Sequence, residues 1–173
     1  MTDLVIQDKI KQYNKKIEDA EKYHKRAIID SEKMDAEVKR VQKNEVDYWE
    51  GQERSYESSY NSAVAWINDY RKSGWFYRAR KSGEFSWKKK SRDSYNNHLN
   101  NTIKPKIKTG KAKVVGMEPD LLSAQQEVNK ADIELKRIKT CKDTIVYSIP
   151  KSELLLKTTQ LKLAEIKKKA EEC

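Results

Sequence analysis

Apolar and small residues recur along the first forty positions of the chain at alternating steps of three and four. The positions on this stripe are Ile6, Ile10, Tyr13, Ile17, Ala20, His24, Ala27, Ser31, Met34, Val38 and Val41. Such heptad spacing is typical of a long helix that buries one narrow face against another helix. The stripe therefore predicts a helix whose partner is either a later segment of this chain or a second copy.

The register of this stripe changes after Val41. The next positions on the same face follow three successive four-residue steps, at Glu45, Trp49 and Glu53, before the alternation of three and four returns. A shift of this kind is a stutter, which locally unwinds a left-handed pair of helices. Later stripe positions are mostly aromatic, namely Tyr56, Tyr60, Ala63, Ile67 and Tyr70. We expect the helix to continue through Gly51 to about residue 71.

A second heptad stripe occupies the C-terminal part of the chain. Its positions are Leu121, Ala124, Val128, Ala131, Leu135, Ile138 and Ile145, followed after Pro150 by Leu156, Thr159, Leu163, Ile166 and Ala170. Pro119 suits the first turn of a helix, where its missing N–H costs nothing. Pro150 is expected to kink or interrupt the helix, because it removes a backbone donor and collides with the preceding turn.

Between the two stripes the composition changes sharply. Residues 71–117 contain 14 Lys and Arg but only two acidic residues, a net charge of +12, whereas the rest of the chain sums to −2. Six aromatic residues are interleaved with these charges: Trp75, Phe76, Tyr77, Phe85, Trp87 and Tyr95. Ser86 begins a stretch with the spacing of a short helix. Ile103–Val114 alternates apolar and basic residues around Thr109-Gly110, which predicts a β-hairpin with one lysine face.

These patterns predict a mainly all-α fold. We expect an elongated antiparallel helical hairpin or coiled coil, formed by residues 1–71 and 119–173, that carries residues 72–118 as a basic, aromatic-rich insert with a short helix and a β-hairpin. The low Gly and Pro content (5 and 3) and the mean hydropathy of −1.00 fit long helices with narrow buried faces better than a thick core.

The basic segment is the predicted partner-binding region. Its candidate contact residues are Arg71, Lys72, Trp75, Tyr77, Arg78, Arg80, Lys81, Trp87, Lys88, Lys89, Lys90, Arg92, Lys104, Lys106, Lys108, Lys111 and Lys113. Arginines and aromatic rings are hot-spot residues of protein interfaces, so a protein with an acidic surface is one expected partner. Lysines that neutralise phosphates and rings that stack on bases suit a nucleic acid equally well, and anionic lipid is a third ligand of the same charge.

Three functions follow from this architecture. The leading hypothesis is a non-enzymatic assembly or scaffold protein that forms an extended homo-oligomer and binds a protein partner through the basic segment. The alternative is a nucleic-acid-binding protein that uses the same segment, and the third is an inhibitor or adaptor that captures one acidic partner. The Lys, Asn, Ile and Tyr bias is one that small accessory proteins of viruses and mobile elements share.

No catalytic, cofactor or metal site is expected. The chain has no glycine-rich phosphate loop, its two histidines lie 74 positions apart, and Cys141 and Cys173 have neither metal-ligand nor disulfide spacing. The first residues are charged from position 3 onward, unlike a secretory signal, and no window approaches the length of an apolar membrane span. We therefore expect a cytoplasmic protein, located in the host cytoplasm or in the virion if it is viral.

Overall fold

The computed structural model describes residues 3–171, apart from the side chains of residues 3 and 148. Its elements are α1 (Asp3–Val41), π1 (Gln42–Asp47), α2 (Tyr48–Lys72), α3 (Trp75–Arg80), α4 (Ser82–His98), π2 (Leu99–Ile103), α5 (Lys104–Asp143), π3 (Thr144–Ser148) and α6 (Ile149–Glu171). The prediction of an all-α fold is confirmed. Cys173 lies outside the described residues.

The predicted β-hairpin is wrong. Ile103 ends π2, and the residues from Lys104 onward form the first turns of α5. The alternation of apolar and basic residues concealed a helical stripe: Ile103 and Ile107 are buried, Gly110 is buried, and Val114 and Met117 are half-buried. Steps of four and three connect these positions, which is the spacing of one helix face; one face of a strand would repeat every two residues.

Proline does not begin the C-terminal helix either. Pro119 lies inside α5, which is a single helix from Lys104 to Asp143. Pro150 is the second residue of α6, immediately after π3. The predicted disturbance near Pro150 is therefore a π-helical segment within a continuous helical stretch, and the described residues contain no break there.

The chain divides into two compact units. One unit combines residues up to Glu32 with residues from Ser123 onward, and the other comprises Lys33–Leu122. In the first unit α1 runs antiparallel to its partners, because Glu21 bonds Lys139 at 2.8 Å and Tyr23 bonds Glu127 at 2.8 Å. The α1 stripe predicted from the sequence is half-buried in this unit at every position from Ile6 to Ser31.

The second unit holds the aromatic core. Leu99, Ile103 and Ile107 form a buried cluster, against which Trp49, Tyr56 and Tyr60 pack. Further along, Ala63 and Ile67 of α2 are buried. The ring of Tyr56 contacts Tyr95 and His98 of α4, with centroids 5.9 and 4.6 Å apart. These contacts pair α2 with α4 and π2 in antiparallel order, so the chain must reverse direction between α2 and α4.

Candidate partner-binding surface at the helix turn

The chain reverses at residues 73–81. Ser73 and Gly74 are extended, with ψ of 162° and 161°, and this conformation ends α2 and begins α3. The N–H and the hydroxyl of Ser73 both donate to the carbonyl of Tyr70, at 3.2 and 2.6 Å, which caps the last turn of α2. Lys81 then donates its N–H to Tyr77 and accepts one from Phe85, so α3 and α4 follow with a single residue between them.

Tyr70 fixes this turn. Its ring stacks on Phe85 of α4 at 4.3 Å and on Trp66 of α2 at 5.5 Å, both nearly parallel, and lies 6.5 Å from Tyr77 of α3. Its hydroxyl donates to the carbonyl of Arg78 at 2.8 Å. One side chain thus contacts three helices, and the short helix α3 is held in place although none of its residues is buried.

Two large aromatic side chains of α3 point away from this cluster. Trp75 and Phe76 are 68% and 83% exposed, and they contact each other edge to face with centroids 4.8 Å apart. Tyr77, whose ring lies near Tyr70, is 40% exposed. Trp75 and Phe76 therefore form a pair of exposed aromatic rings beside the turn.

Unpaired cations accompany these rings. Arg71 and Lys72 occupy the last turn of α2, and Arg78 and Arg80 the last turn of α3. All four are exposed, and none forms an ion pair within residues 3–171. We call this set the turn surface: Arg71, Lys72, Trp75, Phe76, Arg78 and Arg80. Lys81, by contrast, is half-buried and bonds Glu84 at 2.7 Å.

The predicted contact residues of α4 continue from the turn with mixed roles. Trp87 is 60% exposed, and the ammonium of Lys88 lies 5.3 Å from its ring centroid. Lys89 lies 5.5 Å above the ring of Phe85, and Lys90 is exposed. Arg92 is half-buried beside Asp93, at 2.8 Å. This helix therefore presents Trp87, Lys89 and Lys90 to solvent.

The lysines of α5 do not share one face, as they would on a strand. Successive residues of a helix are about 100° apart, so Lys104 and Lys108 lie on a side different from that of Lys106 and Lys113. The ammonium of Lys106 lies 4.2 Å from the ring centroid of Trp49, and Lys113 bonds Glu45 at 2.7 Å. These two lysines stabilise the pairing of α5 with π1 and the first turn of α2.

Lys111 belongs with this structural group. It bonds Glu50 of α2 at 2.7 Å. The hydrogen bond that the Lys111 ammonium donates to Glu50, and then the charge of that carboxylate, raise the pKa of Lys111 above its ordinary value. Three of the five predicted contact lysines in α5 are thus occupied within the unit, and Lys104 and Lys108 remain free and exposed.

The predicted contact residues all lie in one unit of the structure, Lys33–Leu122. Some of them pair with other residues of that unit, and others have no such partner. Phe76 was not among the predicted contact residues, although it is the most exposed aromatic side chain near the turn. Its position beside Trp75, between two Ser-Gly pairs in a basic segment, is the sequence signal that could have identified it.

Neither a metal-binding group nor a membrane span is found among residues 3–171. No group of three or more His, Cys, Asp or Glu side chains is placed to hold a metal ion, and no helix is long and apolar enough to cross a membrane. Comparison with known proteins finds no matching family model, no matching curated protein and no matching solved structure.

Proposed function

We propose that this protein is a non-enzymatic assembly protein that binds an acidic surface of another protein through the turn surface. The observation that carries the proposal is the pair of exposed rings, Trp75 and Phe76, surrounded by four cations without internal ion pairs. Aromatic residues and arginine are enriched at the centres of protein interfaces, where they account for most of the binding energy.

The helical framework supplies rigidity for such a contact. Tyr70 holds α3 against α2 and α4, so the turn surface is presented in one conformation and little ordering is needed when a partner binds. The proposal includes a helical hairpin with coiled-coil arms and self-association of the chain. Light scattering of the purified protein at several concentrations tests the last part, which a strictly monomeric protein would contradict.

Replacement of the turn surface tests the proposal. Proteins retained by the immobilised, nuclease-treated chain are identified, and the purified candidate partner is then titrated against Trp75→Ala/Phe76→Ala and against Arg78→Glu/Arg80→Glu. We expect each double variant to lose at least about 2 kcal/mol of binding free energy, the scale of an interface hot spot, with unchanged far-UV circular dichroism.

The matched controls change one exposed apolar residue and two exposed basic residues away from the turn. Ile133→Ala removes a side chain that is 66% exposed on α5, and Lys9→Glu/Lys11→Glu reverses two exposed charges on α1. These variants should bind like the wild type. Equal losses for Lys9→Glu/Lys11→Glu and Arg78→Glu/Arg80→Glu would mean that the interaction depends on net charge alone, and unchanged binding by the turn variants would disprove the proposal.

A nucleic acid is the second candidate ligand, and the exposed lysines favour it. Lys89 and Lys90 of α4 and Lys104 and Lys108 of α5 have no ion pair within the described residues. Each phosphate neutralised by a lysine releases a counterion, so binding to labelled DNA or RNA would weaken by orders of magnitude between about 50 and 200 mM salt. Tight binding with that salt dependence would replace the acidic protein by nucleic acid as the ligand of this surface.

A further inference from the structure

Helix α6 extends beyond the part of α1 that covers it. A shallow groove near the start of α6 is lined by Ile6 and Gln7 of α1 and by Pro150, Glu153 and Leu154 of α6. Ile149, Pro150 and Glu153 are half-buried there. From Leu154 to Glu171 every residue is exposed, so about five turns of helix lack a packing partner within residues 3–171.

These uncovered turns carry an apolar stripe. At about 100° per residue, one face of α6 spanning about 100° contains Leu155, Leu156, Thr159, Leu163, Ile166 and Ala170. Leu155, Leu156, Leu163 and Ile166 are 69, 60, 54 and 63% exposed. A surface helix normally buries a stripe of this width against another element. The groove that α1 forms lies on a different side, so α1 does not cover the stripe.

Lysines flank the stripe on both sides. If Leu156 and Leu163 are heptad a positions, Thr159 and Ile166 are d positions. Lys162 and Lys169 then occupy g positions and Lys167 an e position. All three are exposed and have no ion pair within the described residues. Every charged residue at the edges of the stripe is therefore positive.

This charge pattern disfavours a second copy of α6 as the occupant. In a parallel pair the g residue of one helix faces the following e residue of the other, which sets Lys162 against Lys167. In an antiparallel pair g faces g and e faces e, and lysine again faces lysine. An amphipathic helix with glutamate or aspartate at these positions would instead form ion pairs on both sides of a buried apolar seam.

We propose that the stripe of α6 is a docking site for an amphipathic helix of another protein that carries acidic residues beside its apolar face. The site is separate from the turn surface, because α6 and the turn belong to different units. Its chemistry also differs, since leucines and isoleucine supply the contact area and lysines select the partner.

The test uses the full chain and two synthetic four-heptad peptides. Both peptides have leucine and isoleucine at a and d; one carries glutamate at e and g, and the other carries lysine there. Fluorescence anisotropy of the labelled peptides measures binding. We expect the acidic peptide to bind at least tenfold more tightly than the basic one.

Charge-swapped variants make the test specific. Lys162→Glu/Lys167→Glu/Lys169→Glu should reverse the preference, so that the basic peptide binds more tightly. Leu163→Asp should abolish binding of the acidic peptide. The matched control, Leu161→Asp, changes a leucine on the opposite face, 67% exposed against 54% for Leu163, and should leave binding within twofold.

Three results would overturn the proposal. Equal affinity for both peptides, or equal losses for Leu163→Asp and Leu161→Asp, would mean that the stripe is not a specific site. A dimer that Leu163→Asp dissociates would identify a second copy as the occupant. Failure to bind either peptide, together with cosedimentation on phosphatidylserine vesicles that Leu163→Asp abolishes, would identify an anionic lipid surface instead.

Discussion

At the scale of single residues, Gly110 is the most closely packed glycine among the described residues. A Cβ on Gly110 would lie 2.5 Å from the carbonyl oxygen of Glu45 and 3.2 Å from a methyl group of Val46. The nearer atom belongs to backbone, which cannot rotate away as a flexible side chain can. A glycine is therefore required where α5 crosses π1, and Gly110 is buried there.

Replacement of Gly110 by alanine should destabilise the protein. Forcing a methyl group against the backbone of π1 is expected to cost about 1–3 kcal/mol of unfolding free energy, which exceeds the gain in helix propensity. Gly116 is a matched control in the same helix, because no atom lies within 4 Å of its virtual Cβ. Gly116→Ala should stabilise the protein by about 0.5–1 kcal/mol. Urea denaturation measures both, and equal effects would contradict the close approach.

Sequence patterns predicted the buried positions of α1, α2 and the later part of α5, but the stripe predicted after Pro150 is exposed at every position from Leu156 to Ala170. Every stripe position from Ile6 to Val41 is half-buried or buried, as are Ala131, Leu135 and Ile138. Burial of Val46 was not predicted, because it lies in π1 and no residue pattern in the sequence marks a π-helical turn. The β-hairpin was predicted wrongly because Pro105 and Thr109-Gly110 are typical turn residues. In the structure Pro105 is the second residue of α5, and Gly110 lies where α5 crosses π1.

At the scale of elements, each π segment coincides with three successive four-residue steps of the buried face. These runs are 41–45–49–53 at π1, 95–99–103–107 at π2 and 141–145–149–153 at π3, and all twelve positions are buried or half-buried. Repeated steps of four exceed the 3.6-residue turn and would move the face away from its partner. A wider π turn absorbs the extra residue and returns the face to register.

Two of the π segments also lie just before a proline. Lys104, which precedes Pro105, donates its N–H five residues back to Leu99, and Ile149, which precedes Pro150, donates to Thr144 in the same way. In a regular α-helix the proline ring collides with the carbonyl four residues earlier. A π turn directly precedes both Pro105 and Pro150, so the disturbance expected at Pro150 coincides with a local change of helix type. Pro119 lies inside α5 without a π segment before it.

Removal of one residue from π1 tests its role in register. Deletion of the exposed Asn44 should convert π1 to a regular α turn and keep Trp49 and later residues on the buried face, with unchanged far-UV circular dichroism. Deletion of Asn61, which is also exposed and lies inside α2, should rotate Ala63 and Ile67 off that face by about 100°. We expect the second deletion to cost at least about 2 kcal/mol more than the first in urea denaturation, because buried apolar contacts are lost.

The opposite ranking of these two deletions would contradict the assignment. If removing Asn44 were as damaging as removing Asn61, the extra residue in π1 would be part of the packing itself and not a correction of register. The sequence indicated this segment as a stutter after Val41, but it did not distinguish a supercoil change from a π turn, since both absorb the same extra residue.

At the scale of the whole chain, positive charge is distributed unevenly between the two units. Lys33–Leu122 contains 19 basic and 12 acidic residues, and the remaining residues contain 18 and 15, so the first group carries +7 of the total +10. The acidic residues of π1 and α2 offset the lysines of α5, as the Glu45 and Glu50 ion pairs show. The cations of the turn surface have no such partner among the described residues. Which lysines are paired depends on contacts between segments far apart in sequence, and composition alone did not predict it.

The positions of the tryptophans have a spectroscopic consequence. Trp49, Trp66, Trp75 and Trp87 are the four tryptophans of the chain, and all lie within Lys33–Leu122. Tryptophan emission therefore reports on one unit alone. The other unit contains tyrosines, such as Tyr13 and Tyr23, but no tryptophan. A protein that docks on the turn surface should alter the emission of Trp75, whereas a tryptophan-free helix that docks on α6 should leave it unchanged. The chain thus carries an intrinsic optical label that distinguishes its two proposed partners without chemical modification.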